Sequence, residues 1–281
     1  MTVVAAAGKA VWRELTASYA FVERNFNLTR RYWAWEVVWL VYSIANALAV
    51  TYIGAGMEAI TGVKVDTAHL VLYLLIGSLV WGYLSMVFNS ISETVSWERW
   101  EGTIEYTFMA PISRVTHLLG QTIFSVVYGL LFSCVTFLVV VLFFRLDVAG
   151  ANLLGALAAL GAGSVSFIGF GIMMAVLPLL YPERGTQMTH VMEALLLLVS
   201  GVYYPVTVLP GWMQAIARFS PATYALQSMR DALLDGATWG HLLPSLGLMV
   251  AMGLVTIPVG VWVFSRAELY AKRTGRLKRT G

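Results

Sequence analysis

Residues able to do covalent chemistry are scarce in this chain, and their spacing excludes most enzymatic schemes. His69, His117, His190 and His241 stand far apart, and no His-Glu-x-x-His segment offers a zinc site with its general base. Residues 163–167, Gly-Ser-Val-Ser-Phe, approach a nucleophile elbow in composition, but Val165 stands where the central serine belongs. The closing glycine is missing too, and the segment lies within an apolar run. Cys134 is the sole cysteine, so no intrachain disulfide can form, and it reads as a small apolar filler. A P-loop needs Gly-Lys followed by Ser or Thr to cradle phosphate; the one Gly-Lys pair, Gly8-Lys9, is followed by Ala10. No catalytic residue and no metal site are therefore expected, and the chain cannot bind ATP through a P-loop, so an energy source must come from a partner or from an ion gradient.

Charge set against apolar surface is the chemistry that remains. Over 93–108, read as one helix, Trp97, Trp100, Ile104 and Phe108 form a stripe at three- and four-residue steps. Glu98, Glu101 and Glu105 each follow one residue later, forming a second stripe about 100° round the axis. Such a helix suits a membrane surface, aromatic side toward the bundle and acidic side toward a basic protein partner or water. Glu193, one turn after His190, sits inside an apolar run, where an ionisable group defaults to a transport or gating role. The alternative is a shallow Glu193 that reaches the interface or pairs with Arg184. Glu36, among Trp33, Trp35 and Trp39, reads as an interface anchor.

The elements positioning these residues follow from composition. The 281 residues are 59% hydrophobic and 12% charged, with a net charge of +3 and a mean hydropathy of +0.75. Soluble domains carry about 25% charged residues, so water is not the solvent; disorder, a nucleic-acid-binding tail and a disulfide scaffold are excluded too. A span needs roughly 20 apolar residues. Six segments qualify: 33–53, 70–91, 118–144, 153–180, 187–203 and 242–264. With the N-terminus inside, the cytoplasmic segments carry fourteen of the 18 Lys and Arg residues, leaving Lys64, Arg145, Arg218 and Arg230 outside. Both termini are then cytoplasmic, and 93–108 faces the cytoplasm.

Residues 8–31 contain a helical stripe of Trp12, Leu15, Tyr19, Val22 and Phe26, as in a helix lying in the interface; packing on a cytosolic neighbour is the alternative. The basic tail, 265–281, sets topology and touches anionic headgroups. Between spans five and six, Pro205, Pro210 and Pro221 break the helix repeatedly. Two short helices are expected there, 211–219 bearing Trp212 and 221–234 bearing Tyr224, the second capped by Ser220-Pro221. They would dip into the outer leaflet as an external cap on a pathway. Gly155, Ala159 and Gly163 recur at four-residue spacing in span four, which suits close helix packing within the subunit.

Glu101-Gly102-Thr103, with Glu105, Pro111, Arg114 and Gly120, resembles one signature of type-2 ABC exporter permeases. Gly201, Tyr204-Pro205, Leu209-Pro210, Trp212, Pro221, Tyr224 and Arg230 resemble the second, and both fall where the topology requires. The resemblance spans essentially the whole chain, nearest to drug and polyketide-resistance exporters, with polysaccharide and teichoic-acid exporters nearby.

It implies one permease domain over 1–281, an all-α integral membrane fold. That fold has six transmembrane helices, an N-terminal interfacial amphipathic helix, a cytoplasmic coupling helix between spans 2 and 3, and broken re-entrant helices between spans 5 and 6. Glu98, Glu101, Gly102, Thr103 and Glu105 would couple to the ATPase, and Pro205, Pro210, Trp212, Pro221 and Tyr224 would form the external gate. The implied partners are two copies of a cytoplasmic ATPase that holds ATP and Mg, a second permease subunit, commonly identical, and lipid; nucleic acid is not among them. The implied location is the plasma membrane, and the cargo an amphiphilic compound, lipid or glycan. A secondary transporter or channel is the competing reading. It predicts repeated halves, and none is visible between spans one to three and four to six.

Overall fold

The computed structural model describes residues 2–62, 64, 66–109, 113–146, 148 and 150–275. Eleven α-helices are described: α1 (Thr2–Arg31), α2 (Trp33–Thr61), α3 (Thr67–Glu101), α4 (Ile104–Met109), α5 (Arg114–Phe144), α6 (Leu153–Met174), α7 (Val176–Leu180), α8 (Gly185–Ser200), α9 (Gly211–Ala217), α10 (Pro221–Leu233) and α11 (Trp239–Arg273). No strand is found among the described residues. Helices are the expected outcome, because in hydrocarbon each backbone N–H and C=O must be satisfied within its own segment.

The helix ends carry local signals. Asp66, Ser113 and Asn152 accept the third backbone N–H of α3, α5 and α6, from His69, Thr116 and Gly155 at 3.1, 3.0 and 2.8 Å. Asn152 also donates from Nδ2 to Ala237 O at 2.8 Å, tying the start of α6 to the loop before α11. Pro244 and Pro258 lie within α11 without ending it.

The helices α3, α6, α10 and α11 form the core. Ile76, Leu84 and Phe88 of α3 pack with Ala159 and Phe167 of α6, Leu226 and Met229 of α10, and Met249 of α11. A second cluster at the α4 end joins Ile91, Ile104, Phe108, Leu118, Leu179 and Phe264. Because lipid is as apolar as leucine, close approach and interhelical hydrogen bonds hold such helices together. A side chain at Gly169 would meet Thr256 of α11 at 2.3 Å, and one at Gly253 would meet Val165 at 2.6 Å. Across that contact Ser166 donates to Met249 O at 2.5 Å and Thr256 to Ser166 O at 3.2 Å; bonds of this kind are worth about 0.6 kcal/mol each. The stripe of Gly155, Ala159 and Gly163 serves packing inside the chain, with Gly155 against Leu242 and Gly163 against Ala225.

The periphery is apolar and exposed, as a lipid-facing surface must be. Val41 and Tyr52 of α2, Leu131 and Leu138 of α5, and Leu254 and Trp262 of α11 all point outward. Five helical stretches are long and apolar enough to cross a membrane: Trp33–Ala59, Thr67–Glu101, Thr116–Phe144, Leu153–Leu180 and Trp239–Arg273. The segment expected as span five forms α8, only 16 residues, about 24 Å at 1.5 Å per residue. Gly201, at φ 72°, ends it, and Pro205 follows in an extended conformation.

The expected single helix over 93–108 is two helices, with a physical cause. Gly102 adopts φ 76° and closes α3. Its N–H reaches Arg99 O at 3.3 Å, while Thr103 N–H reaches Glu98 O at 2.9 Å, the paired bonds of a Schellman cap. α3 thus continues out of the apolar zone to Glu101, and the six-residue α4 departs in a new direction.

Candidate functional site

At the α4 end, turning the chain at Gly102 splits both stripes. Ile104 and Phe108 are buried, but Trp97 and Trp100 are 60% and 72% exposed and touch edge-to-face at 5.5 Å. Glu101 and Glu105 are exposed. Glu98 faces the opposite way and is only 2% exposed. Its Oε1 lies 3.0 Å from His117 Nε2, at the start of α5, and 4.0 Å from Arg24 Nη1 of α1. Phe21 covers the imidazole, ring centroids 5.1 Å apart. Glu98 Oε2, Arg99 Nε and His117 Nδ1 are buried without hydrogen-bond partners among the described residues.

The same contacts settle how α1 lies. Its inward face combines Phe21 with polar contacts: Glu14 accepts from Thr116 Oγ1, Ser18 donates to Thr116 O at 3.5 Å, and Asn25 donates to Gln121 Oε1 at 2.5 Å. Tyr19 and Phe26 point away from the protein, and Val22 is half-buried. Trp12 and Leu15 belong to α1, and their side chains lie outside the described set. A helix that leaves Tyr19 and Phe26 outward while packing by a largely polar face fits an interfacial position.

A polar seam joins α3 to α8. Ser85, Asn89, Ser92 and Ser96 recur at helical spacing along one side of α3. Ser96 pairs with Thr186 at 3.0 Å and Ser92 with Thr189 at 3.0 Å. Asn89 Nδ2 donates to Glu193 Oε2 at 2.8 Å, and Ser85 donates to Oε1 of the same carboxylate. His190 Nδ1 lies 3.3 Å from Glu193 Oε2. Glu193 therefore faces the bundle interior and is held by α3.

Beside the seam, α2, α3 and α5 line an open-sided cavity of about 940 Å³, at the upper end of typical ligand pockets. One wall is aromatic, with Trp35, Trp39, Tyr42, Phe124 and Tyr128. Another is polar, with Ser85, Asn89, Ser96 and Thr186 of the seam, and Glu36 and Glu93 also line it. Tyr128 donates its hydroxyl to Glu36 Oε2.

At the opposite end lies the segment expected as an external cap, of which α9 is largely exposed and α10 is packed into the core. Arg230 of α10 donates to Gly201 O at 3.1 Å and Val202 O at 2.6 Å, with its guanidinium 3.6 Å from the Tyr73 ring centre. Burial holds this guanidinium below its ordinary range, and Tyr73 opposes that effect. Asp231 is shifted the other way: burial raises its carboxyl, against the opposing His241 3.4 Å away. Tyr224 donates to Arg218 O at 2.9 Å. Ser220 precedes Pro221 at the start of α10, but its hydroxyl pairs with Ser200 at 2.7 Å rather than capping the helix. Trp212 and Phe219 are exposed.

Residues 16–234 match the model of the ABC-2 type transporter family. The chain belongs to that family. Over 97 residues it is 27% identical to the linearmycin resistance permease protein LnrN of Bacillus subtilis (strain 168). That stretch is 34% of this chain and 25% of LnrN, so the match spans about a quarter of the relative's length.

In this type-2 permease, a multi-pass membrane protein, the residues singled out by pattern separate into distinct places. Glu101 and Glu105 share an exposed surface around the Gly102-Thr103 turn, whereas Glu98 is an internal link between α1, α3 and α5. Pro111 and residues 276–281 of the tail lie outside the described residues. Pro205, Pro210, Pro221 and Tyr224 shape the cap, while Trp212 turns outward. The permease cavity was missed by pattern reading. Its available signal was the run of Ser and Asn at helical spacing inside an otherwise apolar α3.

Proposed function

We propose that this permease is the membrane-spanning subunit of an ATP-driven exporter that moves an amphiphilic compound, lipid or glycan out of the cytoplasm. The observation carrying this reading is that one helix joins the two ends of the task. α3 bears Glu101 and the α4 turn at one end, and Ser85, Asn89, Glu93 and Ser96 along the cavity. A push on the exposed α4 end tilts α3 and moves a cavity wall against α8, and packed interfaces convert small displacements into switches between two arrangements.

The chain has no P-loop, so ATP and Mg belong to a partner ATPase, two copies serving a pair of permeases. The distribution of Lys and Arg supports a topology with α1, α4 and both termini on the cytoplasmic side of the plasma membrane, and α9 and α10 outside as the gate. The name of the similar permease from Bacillus subtilis, a linearmycin resistance protein, supports resistance by export.

Reversing Glu101 and Glu105 to Lys in the permease co-purified with its ATPase should abolish association or cargo-stimulated ATP hydrolysis. Full association and full stimulation in that variant would remove the coupling assignment. Uptake or efflux by the permease alone, with no ATPase bound, would favour a secondary transporter or channel.

A further inference from the structure

The cavity between α2, α3 and α5 constrains the charge of its occupant. None of its lining residues is Lys, Arg or His among the described residues. Two carboxylates, Glu36 and Glu93, line it at the α4 end, together with Trp35 and Trp97. Glu36 takes the Tyr128 hydroxyl on Oε2, and its Oε1 has no donor among the described residues. Glu93 is exposed in the isolated chain and makes no hydrogen bond or salt bridge among the described residues; its charged neighbours are His190, which favours its ionised form, and Glu193, which opposes it. Farther along, the lining turns neutral, with Asn46, Ser78, Ser133 and Thr136.

The aromatic rings are packed on one another. Trp35 and Trp39 meet edge-to-face at 6.3 Å, Trp39 and Tyr42 at 5.9 Å, and Phe124 stacks on Tyr128 at 5.7 Å. Ring faces attract a cation within about 6 Å of their centres, most strongly where water is excluded. An opposite charge placed close to a carboxylate favours its ionised form and a like charge disfavours it, so a cationic guest stabilises these two while an anionic guest is repelled. The volume, about 940 Å³, leaves room for a bulky apolar body.

We propose that this cavity binds amphiphilic cations, with Glu36 and Glu93 as counter-charges and the α2 and α5 aromatic rings as the apolar wall. The proposal rests on the exporter reading for its biological meaning but not for its test.

The test uses the full chain in phosphatidylcholine nanodiscs and reads tryptophan fluorescence, since Trp35, Trp39 and Trp97 line the cavity. Three probes of similar shape are titrated: tetraphenylphosphonium, uncharged triphenylphosphine oxide and anionic tetraphenylborate, each corrected against empty nanodiscs. The cation should bind saturably and at least about tenfold more tightly than the other two. The double substitution Glu36→Gln with Glu93→Gln should erase that preference and leave the affinity for the uncharged probe unchanged. Ser133→Trp, which fills the cavity, should weaken all three.

Equal affinities for the three wild-type titrations, or a preference for the anion, would overturn the proposal even if the double variant failed to fold. So would unchanged cation binding in Ser133→Trp. No ATPase is present, so charge-blind binding removes the cation assignment and leaves ATP-driven export intact. Lost coupling in the Glu101 and Glu105 reversal does not bear on it.

Discussion

Buried at the junction of three helices, the carboxylate of Glu98 and the imidazole of His117 hold each other 3.0 Å apart. Removing one partner of such a pair strands the other without solvent, at a cost of roughly 3–5 kcal/mol. His117→Ala should therefore lower the thermal midpoint of the detergent-solubilised permease sharply. Combining it with Glu98→Gln should cost less than the two single changes added together. Strictly additive losses in that double-mutant cycle would mean the contact contributes nothing. The residue types at this junction are plain in the sequence, but nothing in a linear pattern distinguishes Glu98, turned inward, from Glu101, turned outward. They are three residues apart, and the choice falls to His117, nineteen positions away.

At the scale of elements, Gly102 decides how the exposed acidic surface meets the spans. Its φ of 76° costs an L-residue roughly 1–2 kcal/mol, while asparagine tolerates this region better than alanine does. Gly102→Ala should destabilise the permease by about that amount, and Gly102→Asn by less. Thermal unfolding would check the order Gly, Asn, Ala; equal midpoints for all three would show that the α3–α4 turn does not need this conformation. If α4 transmits motion, the alanine variant should also lose cargo-stimulated ATP hydrolysis while still binding the ATPase in a pull-down. The helix stop was readable, since a glycine following a periodic run is an ordinary C-terminal signal. The stripe of Trp97, Trp100, Ile104 and Phe108 obscured it, because two helices joined by one turn can preserve an apolar spacing across the break.

For the whole molecule, the arrangement proposed here sets α4 and the cap on opposite sides of the membrane. Single cysteines at Glu105 and Asp235, both exposed, in a Cys134→Ser background, provide the check. A membrane-impermeant maleimide added to intact cells should label position 235 and spare position 105 until the cells are opened. Labelling of 105 in intact cells would invert the topology and with it the direction of coupling. The close α6–α11 contact predicts a second whole-molecule property. Gly169→Leu at the α6–α11 contact should break the bundle itself, since even a Cβ there lies 2.3 Å from Thr256. Loss of a monodisperse elution peak would show it, and an unaltered peak would mean that α6 and α11 can separate.

The order of amino acids by itself determined the apolar solvent, the helical character and the centres of the five long spans, whereas α3 and α11 run about ten residues past the ends their apolar runs suggested. Continuous apolar runs admit few other solutions in hydrocarbon, and caps such as Asn152 and Ser113 act within a few residues of their own position. The signatures around Glu101-Gly102-Thr103 and Tyr204-Pro205 likewise lie on contiguous stretches, and they pointed to the family that the match over residues 16–234 establishes. Only the tertiary structure decided which polar groups inside the membrane face one another. Glu193 meets Ser85 and Asn89 across more than a hundred positions of chain, and Glu36 meets Tyr128. The cavity exists because α2, α3 and α5 stand apart where their side chains are polar or aromatic, a property of their relative placement that no single helix encodes.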